Sequence, residues 1–233
     1  MKEDGESQKL TKRIKSFRPE NPEIPTLIVV AILILLFIFG LDIIIGSLYK
    51  KFSVWENLFA EAHGFLAEVV VFGIIIVLIT KRNERKADIK KWREEIDDYR
   101  GWDEKEAMYR IVGNIRRLNK LGIADISLSR CFLKETDLRD TNLQGAYLWY
   151  ANLEGAYFHR ANLQRADLTE AILQGASLQR AILQEADITG AKYLTIKRLA
   201  EVKTLYKAKL DPELEKEVRE KYPYLLEKPK DEE

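Results

Sequence analysis

The sequence is poor in the residues that most often build catalytic and metal sites. Its 233 residues contain one cysteine, two histidines and six prolines. A single thiol, Cys131, excludes an intrachain disulfide. With His63 and His159 as the only imidazoles, too few nitrogen and sulfur ligands remain for a zinc site. No metal and no cofactor is expected. Glycine-rich phosphate loops and nucleophile elbows are missing too, so no enzyme activity is expected. Six prolines and 12 glycines exclude collagen-like or long low-complexity character. An excess of either charge is also lacking, with 38 Lys+Arg against 37 Asp+Glu and a net charge of +1. That balance excludes nucleic-acid binding through bulk charge, and no basic stripe with interleaved aromatics appears.

The residues that are present are segregated along the chain. Two long apolar runs lie near the N-terminus, at 24–48 and at about 58–80. The first, 25 residues long, would span ~37 Å as a helix, against a bilayer core of ~30 Å. No small-residue cleavage site follows it, which disfavours a cleaved signal peptide. A short link of Tyr49, Lys50, Lys51, Phe52 and Ser53 separates the runs. The pattern predicts a hairpin of two transmembrane helices over 24–80. Eleven basic residues flank the hairpin on its outer sides: Lys12, Arg13, Lys15 and Arg18 before it, and seven from Lys81 to Arg93 after it. The link carries two, so both termini are expected in the cytoplasm, with the protein multi-pass in the inner membrane. Lys81, Arg82, Arg85 and Lys86 are candidates for contact with lipid headgroups.

The runs contain ionisable residues that a simple anchor does not need. Asp42 lies in the outer part of the first, and Glu61, His63 and Glu68 lie in or at the edge of the second. Glu68 is 12 residues from Thr80, ~18 Å along a helix axis and close to the midplane. A carboxylate there costs ~2.5 kcal/mol or more unless it faces protein or water. Glu61, Gly64 and Glu68 share one helix face. These four ionisable residues form a candidate pore or intramembrane polar site. A structural use, with Glu68 protonated or bonded to a neighbouring helix, fits the same pattern.

A charged helical connector is expected over 81–122. Ile89, Trp92, Ile96 and Tyr99 repeat at spacings of 3, 4 and 3, which suits either a short coiled coil or a helix packed on its own neighbours. Gly101 interrupts it. Asp103 and Glu106 resemble a capping box for a second helix with a stripe of Ile111, Val112, Ile115 and Leu118. Gly122 is the expected stop.

The strongest pattern is a five-residue repeat. From Leu128 a large apolar residue recurs at every fifth position through Leu133, Leu138 and onward to Ile188 and Tyr193. Two positions before each stands a small one: Cys131, Thr136 and Thr141, then alanines from Ala146 to Ala191, with only Ile126 departing. Positions two apart share a face of an extended segment, and the remaining residues turn a corner. Repetition winds a solenoid whose small and large residues point inward. Units such as ANLEG, ANLQR and ADLTE carry a resemblance to the pentapeptide-repeat family, over fourteen units and 70 residues. The resemblance implies a right-handed quadrilateral β-helix of four units per coil, and a bacterial source. A helical end cap is expected over 194–226, with Leu199, Val202 and Leu205 on one stripe and Asp211-Pro212 opening a last helix.

The fold class expected is therefore an α+β membrane protein. Its divisions are a cytoplasmic tail (1–23), the hairpin (24–80), the connector (81–122), the repeat β-helix (123–193), the cap (194–226) and a disordered tail (227–233). Some members of the resembled family imitate DNA and bind topoisomerases, but those are long and acidic. Here 125–192 carries nine acidic and seven basic residues, which disfavours that role. Tyr147, Trp149 and Tyr150 fall at outward or corner positions and form a candidate partner-contact patch, with Tyr157 and His159 two sides further round. The expected role is a membrane-anchored scaffold that presents the β-helix to a protein partner. The alternative is an oligomeric ion channel or membrane-permeabilising effector formed by the hairpins. A homo-oligomer through the transmembrane and connector helices is a possible assembly for either, and nucleic acid is not expected as a partner.

Overall fold

A computed structural model describes residues 53–229. The first apolar run, the basic N-terminal flank and Asp42 lie outside the described residues. The chain divides into two compact units, 1–86 and 87–233.

The second apolar run and the start of the connector are one element. Helix α1 runs unbroken over Ser53–Asp98, 46 residues. The expected boundary at Lys81 is not a break, because residues 81–100 contain neither glycine nor proline and are rich in Lys, Arg and Glu. Among the described residues, α1 alone is long and apolar enough to cross a membrane. Gly101, at φ +99, ends the stretch.

Helix α2, Lys105–Lys120, comes next. The expected capping box does not form. Glu104 is the N-cap, without a side-chain cap bond. Asp103 instead lies 3.8 Å from Lys134, and Glu106 pairs with Arg110 at 3.0 Å. The helix stops as expected: Gly122 sits at φ +75, its N–H donates to Asn119 O at 2.9 Å, and Ile123 N–H reaches Leu118 O at 3.0 Å.

Ile111, Val112, Ile115 and Leu118 of α2 are buried. With Ile96 of α1 they join the apolar column of the repeats, and Ile89, Trp92 and Tyr99 pack against the same core. The 3-4-3 stripe is thus used within the chain, against its own neighbours. These helices close the first end of the solenoid, where an open column and free strand edges would otherwise meet water.

The repeats form a four-sided β-helix. Parallel bridges join residues 20 apart, as in Ser127–Tyr147–Asp167–Asp187 on one face and Asn142–Asn162–Ile182 on another. Twenty residues are four sides of five. Each rung bonds both ways: Leu128 N–H donates to Tyr147 O at 2.7 Å and Tyr147 N–H to Ile126 O at 2.9 Å. Every large residue from Leu128 to Ile188 and every small one from Cys131 to Ala186 is buried, including Phe158 in a leucine's place. Thr136 and Thr141 are tolerated inside because their hydroxyls donate to Leu133 O at 2.8 Å and Leu138 O at 2.6 Å.

A typical corner is a turn closed from residue i to i+3, as in Ala151 N–H to Leu148 O at 3.0 Å. The third turn residue takes a positive φ, for instance Arg130 (58), Arg165 (59) and Gly145 (70), as a type II turn requires. Where an Asp or Asn precedes the inward leucine, it also has a local task. Asn162 Oδ1 accepts Gln164 N–H at 3.0 Å, and Asp167 Oδ1 accepts Thr169 N–H at 3.0 Å. This corner N–H is thereby satisfied without the ladder.

The last coil differs from the sequence expectation in two ways. Tyr193 points outward, 64% exposed. The ladder then resumes beyond it, with Ile182 bridged to Thr204 and Asp187 to Lys209. The offset is now 22, because the four-residue helix α3, Ile196–Leu199, replaces one side of the square. Val202 and Leu205 therefore belong to the continuing coil rather than to a helix, and both are buried. Helix α4, Pro212–Lys221, and a 3₁₀ turn, Pro223–Leu226, close this end. They bury Val218 and Leu225, and Leu205 N–H donates to Leu225 O at 2.7 Å. Pro212 opens α4 as expected, but the Asp211 carboxylate makes no cap bond there. It accepts the Gly190 N–H at 3.0 and 3.2 Å, holding the corner of the last complete coil.

Candidate interaction surfaces

The corner between two faces carries the aromatic cluster. Trp149 and Tyr150 follow the inward Leu148 and are the two middle residues of its turn. Tyr150 takes φ 55, which swings its ring outward beside that of Trp149. The rings meet edge to face, with centroids 5.7 Å apart. Arg130 stands one coil earlier in the same corner column as Tyr150, and its guanidinium lies 4.9 Å from the Trp149 ring centroid. Trp149 is thus half-buried under a cation, while Tyr147 and Tyr150 are each 53% exposed. Tyr147 lies on the adjoining face, bridged between Ser127 and Asp167. Tyr157 belongs to another face, between Asp137 and Ser177, two sides round from Tyr147. His159 Nδ1 is 3.2 Å from Gln179 Oε1 one coil further on.

The charged residues of the β-helix are mostly matched between neighbouring coils. Arg160 pairs with Asp140 at 3.2 Å, Arg165 with Glu185 at 2.7 Å, Lys134 with Glu154 at 3.6 Å and Lys209 with Asp187 at 3.0 Å. The Arg139 guanidinium grips Asp137 with two bonds, at 2.8 and 2.9 Å, and with help from Arg116 it holds that carboxyl far below the usual range. Burial pushes Asp187 up, but bonds from Thr189 and Lys209 outweigh it and leave the carboxyl lowered. Carboxylates so held stay ionised and paired, which suits a fixed rod and not proton transfer. Cys131 is buried, and loss of water pushes its thiol up to about 11, so it is no nucleophile at neutral pH.

Two sets of residues lie on α1. Glu68 is exposed, and it is the lone charged side chain between Gly64 and Thr80. Glu61 and His63 lie in the same helix, and their side chains fall outside the described residues. Lys81, Arg82, Arg85 and Lys86 come directly after Thr80, whose hydroxyl donates to Ile76 O at 2.9 Å.

The helical cap contains details that sequence reasoning missed. Arg110 bonds Glu106 at 3.0 Å and Glu95 at 3.4 Å and lies 5.6 Å from the Tyr99 ring, tying α2 to the end of α1. Arg100 bonds Ser129 and Ser127 of the first coil. Asn114 is fully buried, and its Nδ2 has no partner. A polar residue within an apolar stripe is the signal that points to it.

Comparison with known proteins agrees with the repeat geometry. The family described as pentapeptide repeats (8 copies) matches residues 124–160 and 161–192. This is a pentapeptide-repeat domain. A pentapeptide repeat protein of Nostoc PCC 7120 is similar at 26% identity, over 43% of this chain and 95% of its own, with a TM-score of 0.31. Rfr23 of the cyanobacterium Cyanothece 51142 is similar at 34% identity, over 39% of this chain and 60% of its own, with a TM-score of 0.20. HetL of Nostoc sp. strain PCC 7120, a protein involved in heterocyst differentiation regulation, is similar at 28% identity, over 37% of this chain and 43% of its own, with a TM-score of 0.20. No curated protein matches the chain. Pentapeptide repeats imply a right-handed quadrilateral β-helix over these residues.

Proposed function

We propose that this protein is a membrane-anchored scaffold, held in the bilayer by α1 and the apolar run before it, and presenting its pentapeptide-repeat domain to a protein partner in the cytoplasm. The observation that carries the reading is the apolar surface that α1 leaves uncovered. Phe65 is 66% exposed, Phe72 67% and Ile76 56%, a density of exposed large apolar side chains that is stable in lipid and not in water. The basic residues after Thr80 support a cytoplasmic position for the repeat domain. On that domain, Tyr147 and Tyr150 supply exposed aromatic area on a rigid corner, the kind of surface that anchors protein contacts.

Cell fractionation tests the anchor. The full chain is expected in the membrane fraction after an alkaline carbonate wash, and V71R/I75R is expected in the wash. Recovery of the unaltered chain as a detergent-free soluble protein would overturn it. For the partner, cross-linking in native membranes is expected to give an adduct that Y147A/Y150A loses and that Y157A, on the far side of the rod, keeps.

One observation favours a second reading, an oligomeric ion channel: the exposed Glu68 in an otherwise apolar helix. That reading requires ion flux in liposomes that changes with E68Q. A flux-free bilayer removes it and leaves the anchor intact.

A further inference from the structure

α1 changes character sharply at Thr80. Residues 81–86 hold four bases and one acid, a net charge of +3, whereas 87–98 hold three bases and five acids, a net charge of −2. In the acidic stretch, Lys90 pairs with Glu94 at 3.6 Å and Arg93 with Asp125 at 3.2 Å. The upper four bases occupy one side of the helix. At about 100° per residue, Lys81, Arg85, Arg82 and Lys86 fall in that order within a sector about 140° wide, and Glu84 lies about 130° from its midline. Arg82, Arg85 and Lys86 are exposed and Lys81 is half-exposed. The six residues rise ~9 Å, which places them across the headgroup layer, roughly 5–8 Å deep on each side of the hydrocarbon core. Within the sector, Lys81 and Arg85 are like charges at i and i+4, as are Arg82 and Lys86.

We propose that this basic sector binds the phosphate groups of anionic phospholipids in the cytoplasmic leaflet. The inference rests on the bilayer reading of α1 and names the lipid class that reading leaves open. Contact is confined to 81–86, because the acidic stretch below repels the same headgroups. Binding is electrostatic and falls with ionic strength.

The test uses the full-length protein reconstituted in vesicles of phosphatidylcholine mixed with phosphatidylglycerol. Insertion is checked by alkaline extraction, and retained lipid is counted by native mass spectrometry. Phosphatidylglycerol is expected to be enriched several-fold on the protein over phosphatidylcholine, with the enrichment lost at high salt and in K81Q/R82Q/R85Q/K86Q, and kept in K90Q/K91Q. Because the quadruple variant changes insertion signals as well, the salt series on the unaltered protein is the second measurement. Inserted protein that shows no enrichment overturns the proposal while the anchor stands. So does enrichment that is unchanged in the quadruple variant, or that is lost in K90Q/K91Q. Failure to insert in any vesicle overturns the anchor, and this proposal falls with it.

Discussion

The side-chain amide of Asn119 pairs with both backbone groups of Asn142. Its Oδ1 accepts the Asn142 N–H at 2.8 Å, and its Nδ2 donates to the Asn142 carbonyl at 2.7 Å. Deeper in the β-helix, those two positions are served by the coil before. Asn162 N–H, for example, donates to Thr141 O at 2.9 Å, and Asn162 O accepts from Leu143 N–H at 2.8 Å. Asn142 lies in the first coil and has no coil before it. The last turn of α2 supplies an amide of the same shape, so a side chain completes the ladder on this face. Arg100 serves the Ser129 carbonyl in a related way.

The Asn119 pair makes an edge-specific prediction. Asn119→Leu removes both bonds, together with the Nδ2 donation to Ile123 O at 3.0 Å, and is expected to cost about 1–2 kcal/mol. Asn119→Asp keeps the acceptor and loses the donor, so its stability is expected to fall between that of the unaltered protein and that of Asn119→Leu. Amide hydrogen exchange at Asn142 is the direct readout. Protection there should drop in Asn119→Leu, while Asn162 in the next coil keeps its own. Equal loss at both positions would mean that the cap acts on the whole solenoid and not on this edge.

The column sets the second expectation. Ala161 is fully buried, and its neighbours along the axis are the small residues at the same position in adjacent coils, Thr141 and Ala181. A leucine at 161 has no void to enter and must displace a ladder held by bonds on both sides. Ala161→Leu is expected to destabilise by about 1–3 kcal/mol or more. Leu163→Ala, which opens a cavity in the same rung, is expected to cost about 2–5 kcal/mol. Thermal unfolding of both variants checks this, and an unchanged midpoint for either would remove the inward assignment of that position.

Corners separate conformational strain from crowding. Gly145 sits at φ +70, and an added Cβ would meet nothing within 4 Å. Any penalty there is therefore that of the left-handed backbone alone. Asn visits this region easily and a β-branched residue does not. Gly145→Asn is expected to be near neutral and Gly145→Val to cost about 1–2 kcal/mol. The nine non-glycine corners between Arg130 and Glu185 already carry this conformation. If Val and Asn proved equal in denaturant unfolding, the corner would not be holding its third residue left-handed.

The solenoid was legible in the sequence because its rule is local. Five-residue spacing states which side chains face the axis, and Leu128 through Ile188 obey it. The ends were less legible, since capping depends on contacts between residues far apart. Asp211 reads as an N-cap beside Pro212, yet its carboxylate serves Gly190 a coil away. Asp103 reads as half of a capping box, yet it faces Lys134. Leu199, Val202 and Leu205 fit a helical stripe at spacing three. A coil with a two-residue insertion produces the same spacing, and periodicity over so short a stretch does not distinguish them. On the candidate surface, the aromatic residues were visible but the Arg130 stack on Trp149 was not, because it arises from the offset of 20 between Arg130 and Tyr150.

Cys131 connects burial to pH. Its thiol is pushed from 9.0 to about 11, first by loss of water and slightly by Asp97, with Arg100 opposing. The folded state therefore keeps its proton at pH values where the unfolded chain has lost it. Below pH 9.0 the two states bind the same proton and the thiol does not tilt the balance. As pH rises from 9.0 to about 11, the unfolded state gains from ionisation and the folded state does not. Stability is thus expected to fall across that window, by a total of about 2 kcal/mol from this group. Cys131→Ala, which fits the small position that alanine fills in later coils, should flatten that part of the profile. Its stability near neutral pH should change by less than about 1.5 kcal/mol. Thiol-reactive probes add a kinetic check. At pH 7.5 the folded protein should resist labelling, with modification following the rate of opening, whereas rapid labelling of the native state would place Cys131 outside the column.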